Sequence, residues 1–490
     1  MHQPSRAVRL RSAEGHAIVA AAVLGSGAVF VESTVVNVAL PAIGRSLDLG
    51  MTGLQWIANA YLITLSALLL LGGTLGDALG QKRVFQAGLI AFSLSSLLCA
   101  VAPSFSLLIV ARLLQGAAGA MLVPTSLAYL DTSFAAEERG DAIGQWAAWS
   151  AVWTAGGPLL GGILVDAASW RWVFAAASPL PLVALMVTLV GGHPRRAGSG
   201  RPVDFLGAFL ISAGLGIVVW ALLTAPADRA GGSTWIASAV GLGLIGLFVR
   251  HEGRTRTPLL PSRLFASRQF AGANAATLLI YAALGALFFL LMVQLQSVIG
   301  FTALAAGASL LPINACMLIL SPLAGRWAAT AGPGAPIASG AAVAALGLMQ
   351  LSNVHADSAY LSGILPGIVF FGLGLGLIVA PLTSSVLAAV DEDDAGMASA
   401  VNNAAARLAG LLATAVIPLL VGLGGLEDLS SDAFARGYAR AMWISAALCA
   451  AGGVVAWSTV IRIPKGRPMS HPAPTHGCVP LINDRPGKDL

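Results

Sequence analysis

Read for the alternation of apolar and polar positions, the chain divides into fourteen long apolar runs separated by short polar turns, with approximate centres at residues 28, 65, 93, 117, 153, 181, 215, 242, 284, 314, 343, 374, 415 and 450. Each is long enough to cross the hydrocarbon of a bilayer, which takes roughly 17 to 25 helical residues. Lipid offers no partner for an unpaired peptide group, so apolar runs of this length predict helices. The pattern predicts an all-α polytopic membrane protein of 14 spans. An even number of spans puts both termini on one side.

Composition agrees: with 57% hydrophobic residues, 10% charged and a mean hydropathy of +0.82, 490 residues do not make a water-soluble domain. If the N-terminus lies inside, the cytoplasmic segments hold 20 of the 27 Lys and Arg residues and the outer loops hold 5, leaving Arg112 and Arg407 within spans. Short loops rich in these residues stay cytoplasmic, so both termini are assigned there. The inner set includes Arg6, Arg9, Arg11, Lys82, Arg83, Arg195, Arg196, Arg201 and the cluster Arg250, Arg254, Arg256, Arg263 and Arg268. Topology and anionic lipid thus account for the net charge of +5, and no nucleic-acid partner is needed. The first run is too long for a signal-peptide core and keeps an acid, so it reads as span one. Cys99, Cys316, Cys449 and Cys478 show neither pairing nor metal-ligand spacing, and no metal or cofactor is expected. Arg outnumbers Lys 24 to 3 in an Ala- and Gly-rich chain, a coding bias that points to a bacterial plasma membrane.

Two segments about 250 residues apart resemble each other: Gly73-Thr74-Leu75-Gly76-Asp77-Ala78-Leu79-Gly80 after span two and Gly325-Arg326-Trp327-Ala328-Ala329-Thr330-Ala331-Gly332 after span ten. A repeat of this kind implies two related bundles with a site at their interface. The expected organisation is an N-terminal six-helix bundle over 1–192, a two-helix insert with flanking cytoplasmic loops over 193–260, a C-terminal six-helix bundle over 261–462, and a disordered cytoplasmic tail over 463–490.

The candidate chemistry begins with Glu32, an acid inside the first span. Carboxylates at membrane depth are costly and mostly face a bundle interior or a water-filled cavity, where they carry protons, ions or substrate. Burial raises a carboxylate's pKa and a nearby cation lowers it, so such a group can titrate near neutral pH. The other reading is that Glu32 only braces Asn37, Ser33 or a buried Arg. Arg112 in span four stays charged and must be matched by an acid, carbonyls or water, which makes it the leading partner for Glu32, with Gln115 three residues on. In span five, Gly156-Gly157-Pro158 and Gly161-Gly162 combine a helix-bending proline with glycines that let helices touch. Trp146, Trp149 and Trp153 recur at i, i+3 and i+7 on that span. Trp149 and Trp153 are placed at a cavity, where they can stack on flat or cationic molecules; an interfacial tryptophan belt is the alternative. Arg407 follows Asn402-Asn403 in span thirteen. It either lines the cavity with Asn37, Gln115 and Asn403 or snorkels to the membrane surface.

Several of these motifs carry a resemblance. The turn from Gly73 through Asp77 and Gly80 to Lys82-Arg83 resembles the loop signature of the major facilitator superfamily, with Ala78 and Gln81 standing where that family usually has arginine. The run Phe30-Val31-Glu32-Ser33-Thr34-Val35-Val36-Asn37-Val38-Ala39-Leu40-Pro41 resembles the first span of its fourteen-span drug:proton antiporters, which most often carry Asp in place of Glu32. Arg112-Leu113-Leu114-Gln115-Gly116 is similar to the family's Arg-x-x-Gln-Gly motif, and Gly157-Pro158 with Gly161-Gly162 resembles its antiporter motif. Span thirteen departs from the pattern, having Leu408 where Gln usually follows the arginine. The resemblance implies that Gly73, Asp77, Gly80 and Arg83 form a conformational gate on the cytoplasmic side. It further implies that Glu32 and Arg112 couple transport to protons.

The resulting expectation is a transporter, not an enzyme, that works as a monomer in the cell membrane. It would export a small amphipathic drug-like compound or natural product in exchange for protons. Spans nine, ten and twelve contain no Asp or Glu, which favours neutral, monocationic or zwitterionic cargo. The alternative is a proton-coupled uptake symporter of a small metabolite on the same fold.

Overall fold

A computed structural model of the chain describes residues 8–190, 203–224, 232–255, 258–391 and 394–460. Arg6, Arg195, Arg196, Arg201, Arg256, Cys478 and the expected tail lie outside the described residues. Fourteen helices are long and apolar enough to cross a membrane, matching the spans expected from the apolar runs. They are α1 (Ala13–Leu47), α2 (Met51–Leu79), α3 (Gln81–Val101), α4 (Phe105–Ser133), α5 (Ala136–Ala167), α6 (Trp170–Val190), α7 (Phe205–Thr224), α8 (Gly232–Glu252), α9 (Arg268–Val298), α10 (Ala303–Ala331), α11 (Gly334–Leu351), α12 (Tyr360–Leu387), α13 (Ala395–Leu420) and α14 (Asp432–Thr459).

Short polar residues start many of these helices. Ser12, Ser104, Ser267, Thr302 and Ser431 each accept a hydrogen bond from a first-turn backbone N–H, satisfying a donor that has no partner inside the helix. Gly80 and Gly332 end α2 and α10 with φ of 98° and 86°. That backbone region suits glycine and strains any side chain. The two related sequence segments thus end their helices in the same way.

Helix packing repeats with an offset of eight. In the N-terminal half α2 packs on α4, α1 on α5, α3 on α4 and α1 on α6; in the C-terminal half α10 packs on α12, α9 on α13, α11 on α12 and α9 on α14. The seam between the halves follows the same relation, with α2 against α13 and α5 against α10. Two six-helix bundles therefore face each other about a pseudo-twofold axis, the arrangement of many secondary transporters. The remaining pair, α7 and α8, packs together, and α7 lies on both α2 and α13. At the inner end of this pair the His251 ring nitrogen Nε2 sits 2.9 Å from both carboxylate oxygens of Asp204, whose Oδ1 also accepts the Gly207 N–H at the start of α7.

Among the described residues, the hydrogen bonds that cross between bundles lie in the outer halves of the helices. Gln55 donates to the Thr414 carbonyl at 2.7 Å, Thr414 donates to Asn59, and Gln296 donates to the Val38 carbonyl at 2.9 Å. Asp166, at the outer end of α5, accepts the Ala303 and Leu304 N–H groups that open α10, at 3.1 and 2.8 Å. A carboxylate at a helix N-terminus meets both free donors and the positive end of the helix dipole. The outer side is sealed, and the interior opens toward the cytoplasm.

Glycines make that seal possible. A Cβ at Gly162 would lie 2.5 Å from the Leu304 Cα, and one at Gly307 would lie 2.2 Å from the Pro158 carbonyl oxygen. On the neighbouring face, Cβ atoms at Gly157 and Gly161 would collide with Thr34 and Val35 of α1. Gly156 has nothing within 4 Å of the same position. Gly162→Val and Gly307→Val are therefore expected to hold α5 and α10 apart, whereas Gly156→Ala leaves them closed. Spin-label distances between the outer ends of the two helices test this; identical distances in all three variants would remove the glycine contact from the seal.

Candidate functional site

The first and fourth helices bring one acid and one arginine together in the membrane interior. The Glu32 side chain is 0% exposed and Arg112 2% exposed, and Arg112 Nη1 donates to Glu32 Oε1 at 2.6 Å. Arg112 is held independently of that acid. Its Nε donates to the Ile57 carbonyl at 3.2 Å, its Nη1 also donates to Gln115 Oε1 at 2.7 Å, and its guanidinium lies 4.4 Å from the centre of the Tyr61 ring. Gln115 is in turn fixed by donating to Ser96 Oγ at 2.8 Å. Glu32 Oε2 has no hydrogen-bond partner. The arginine is thus anchored from several sides, and the carboxylate's one close hydrogen bond is to the arginine.

This pair borders a cavity of about 420 Å³ between the bundles, within the size range that accepts drug-sized ligands. One wall comes from α1 (Phe30, Ser33, Thr34, Asn37) and the facing wall from α13. Ser399, Asn402, Asn403, Ala406, Arg407, Gly410 and Thr414 line it at helical spacing, making one polar stripe along α13. Tyr61, Tyr281, Leu62, Leu284 and Phe288 supply aromatic and aliphatic surface. Thr383, Val386 and Leu387 carry the lining to the inner end of α12. The arrangement can enclose an amphipathic molecule and expose it to a titratable acid.

Residues 22–414 match the family model described as Major Facilitator Superfamily. The chain belongs to the major facilitator superfamily. It is similar to a puromycin resistance protein of Streptomyces alboniger, at 32% identity over 88% of this chain and 88% of that one. It is also similar to a tetracenomycin C resistance and export protein of Streptomyces glaucescens, at 33% identity over 82% of this chain and 75% of the other. Among solved structures it shares its fold with a bacterial homologue of the human lysosomal transporter Spinster, with a TM-score of 0.67 and 16% identity over 93% of this chain and all of that one. This facilitator-family chain is a multi-pass transporter of the plasma membrane and not an enzyme.

The structure distributes the residues singled out in the sequence unevenly. Glu32, Asn37, Arg112, Asn403 and Arg407 line the cavity together. Three others expected there do not. Gln115 lies behind Arg112 and positions it. Trp153 packs its ring against Gly27 of α1, where a Cβ would come within 2.5 Å of it, and Trp149 is 53% exposed away from the cavity lining. The i, i+3, i+7 spacing marked a shared helix face but not its neighbour, and that face meets α1: Trp146 donates to Ser26 Oγ at 2.7 Å. Asp77 lies in the last turn of α2 and accepts a hydrogen bond from Gln81 at 2.8 Å. The residue standing at a usual arginine position is thus the acid's own partner, while Arg83 is exposed. Tyr61, Tyr281 and Asn402 were not singled out as cavity residues, and the five-residue step from Asn402 to Arg407, about 140° around a helix, gave no signal for it.

The asymmetric anchoring of the ion pair has a measurable consequence. Breaking a buried pair by removing one partner typically costs about 3–5 kcal/mol, because a charge is left uncompensated. At alkaline pH, where Glu32 cannot shed its charge by taking up a proton, Arg112→Gln strands the carboxylate, whereas Glu32→Gln leaves Arg112 bonded to Ile57 and Gln115. The thermal midpoint of purified protein, read by intrinsic fluorescence, is expected to fall several-fold further for Arg112→Gln. Equal losses would mean that the anchors around Arg112 do not stabilise it.

Proposed function

We propose that this transporter exports a small amphipathic compound from the cytoplasm in exchange for protons, by alternating access. The observation that carries the reading is the Glu32–Arg112 pair at the wall of a cavity between two facing bundles. Glu32 binds a proton while the cavity faces outward and releases it inward, and the cargo travels the other way. Protonation removes the carboxylate's charge and with it the attraction to Arg112. Arg112 need not move, because Ile57 and Gln115 still hold it. On the inward-facing side the fixed guanidinium favours the ionised acid, so it helps to expel the proton. The 2.6 Å contact in this inward-open arrangement suits a carboxylate that has given up its proton.

The direction of transport draws on the relatives named for antibiotic resistance and export, and on the likeness of Gly157, Pro158, Gly161 and Gly162 to the antiporter motif. The turn at Gly73, Asp77, Gly80 and Arg83 serves as the cytoplasmic gate, with Gln81 replacing arginine as the partner of Asp77. The functional unit is one chain: bundles over 1–192 and 261–462 move against each other, and the insert over 193–260 rides between them.

Inside-out membrane vesicles with an imposed acidic interior provide the test. Adding cargo to wild-type vesicles, from a panel of amphipathic antibiotics, should collapse the proton gradient as the compound enters. Glu32→Gln should abolish that response while still binding the compound. A gradient collapse that persists in Glu32→Gln would take Glu32 out of the coupling, and cargo moving in the same direction as the proton would replace export with uptake.

A further inference from the structure

We infer that the cargo carries a carboxylate or an equivalent single negative charge on a flat apolar body, and that Arg407 is the residue that binds that charge. The inference rests on the export reading above and names its substrate class. It differs from the cargo expected from the sequence, where the lack of acids in spans nine, ten and twelve pointed to neutral, monocationic or zwitterionic molecules.

The charge inventory of the cavity is short. Its lining holds one carboxylate, Glu32, and two guanidinium groups, Arg112 and Arg407. Glu32 and Arg112 neutralise each other at 2.6 Å. Among the described residues, no acid lies within salt-bridge distance of Arg407 and no hydrogen bond satisfies its guanidinium; its contact is with the Phe30 ring, 5.9 Å away. None of α9, α10, α12 or α13 contains an Asp or Glu that a small rearrangement could bring to it. An uncompensated cation at membrane depth is costly, and an arginine fork is suited to hold a carboxylate through two parallel hydrogen bonds.

The surroundings of Arg407 complete a receptor. Asn403, one helical turn before it, is exposed to the same space, and among the described residues Asn37 on the facing helix has no hydrogen-bond partner. Both can bond the second polar group of a ligand. Phe30, Phe288, Leu62 and Leu284 leave an apolar slot for its body. A cationic ligand would meet a net positive lining and would have to take Glu32 from an arginine that is fixed by its neighbours. Because protonating Glu32 makes the lining more positive, proton and anion do not exclude each other by charge. Exchange then works through the facing of the bundles, which the proton biases.

Matched probes test this in purified protein reconstituted into nanodiscs. Binding of nalidixic acid and of naproxen is compared with that of their methyl esters, in wild type, Arg407→Gln and Arg407→Lys. The acids should bind wild type at least tenfold more tightly than the esters. Arg407→Gln should abolish that preference while ester binding changes less than twofold, which also reports an intact cavity, and Arg407→Lys should restore part of it. Equal affinity for acids and esters in wild type, or parallel loss of both in Arg407→Gln, would overturn the assignment. Binding needs no gradient, so the two readings fail separately. Acid selectivity without proton exchange in vesicles would sink the export reading, and proton-coupled movement of esters or cations that ignores Arg407 would sink the cargo class alone.

Discussion

A guanidinium and a carboxylate held together inside a membrane set the terms for everything around them. Neither is tolerable there alone, and the surrounding helices are arranged so that each has what it needs. Arg112 takes a carbonyl from α2, an amide from its own helix and an aromatic face from Tyr61, so it is held in place whatever Glu32 does. Glu32 has one close hydrogen bond, to Arg112, and one oxygen without any. The pair is therefore stable as a unit but easily changed at one end, as the proposed uptake and release of a proton requires.

A site of this kind works only if the bundles around it can separate on one face and close on the other. The outer closure combines close backbone contact, a few hydrogen bonds and an apolar cluster shared by both halves, in which Leu40, Met51 and Leu54 meet Leu290, Leu295 and Leu423. Gly162 and Gly307 bring α5 and α10 together, and Asp166 caps the start of α10 from the opposite bundle. Smooth surfaces of this type give short-range complementarity without deep interdigitation, so they can part without repacking either bundle. The bonds from Gln55 to Thr414 and from Gln296 to Val38 are made to carbonyls, which any helix presents, and so depend little on the facing sequence.

Much of this was legible in the chain, and the reasons are physical. Hydrocarbon thickness fixes the length of an apolar run, which is why all fourteen spans could be counted. Charge is scarce at membrane depth, so a lone acid and a nearby-register arginine nearly had to find each other, as Glu32 and Arg112 do. Periodicity is weaker information. The tryptophans of α5 share a face, yet nothing in their spacing says that Trp146 and Trp153 meet α1 while Trp149 stays outside. Asp166 reads in sequence as a solvated residue at a span end, and only the position of the opposite bundle turns it into a cap. The solitary state of Arg407 was also hidden, because it depends on which side chains fail to reach it.

The two-helix insert breaks a symmetry that the bundles otherwise keep. By the eightfold offset the molecule has two equivalent seams, α2 with α13 and α5 with α10. Ile63, Val219, Leu223, Leu411 and Ala415 form one apolar cluster across α2, α7 and α13, so α7 roofs the first seam. Among the described residues no such helix packs over the second. The two lateral faces are therefore inequivalent toward lipid: a helix stands between the bilayer and the first seam, and the second seam meets the bilayer directly.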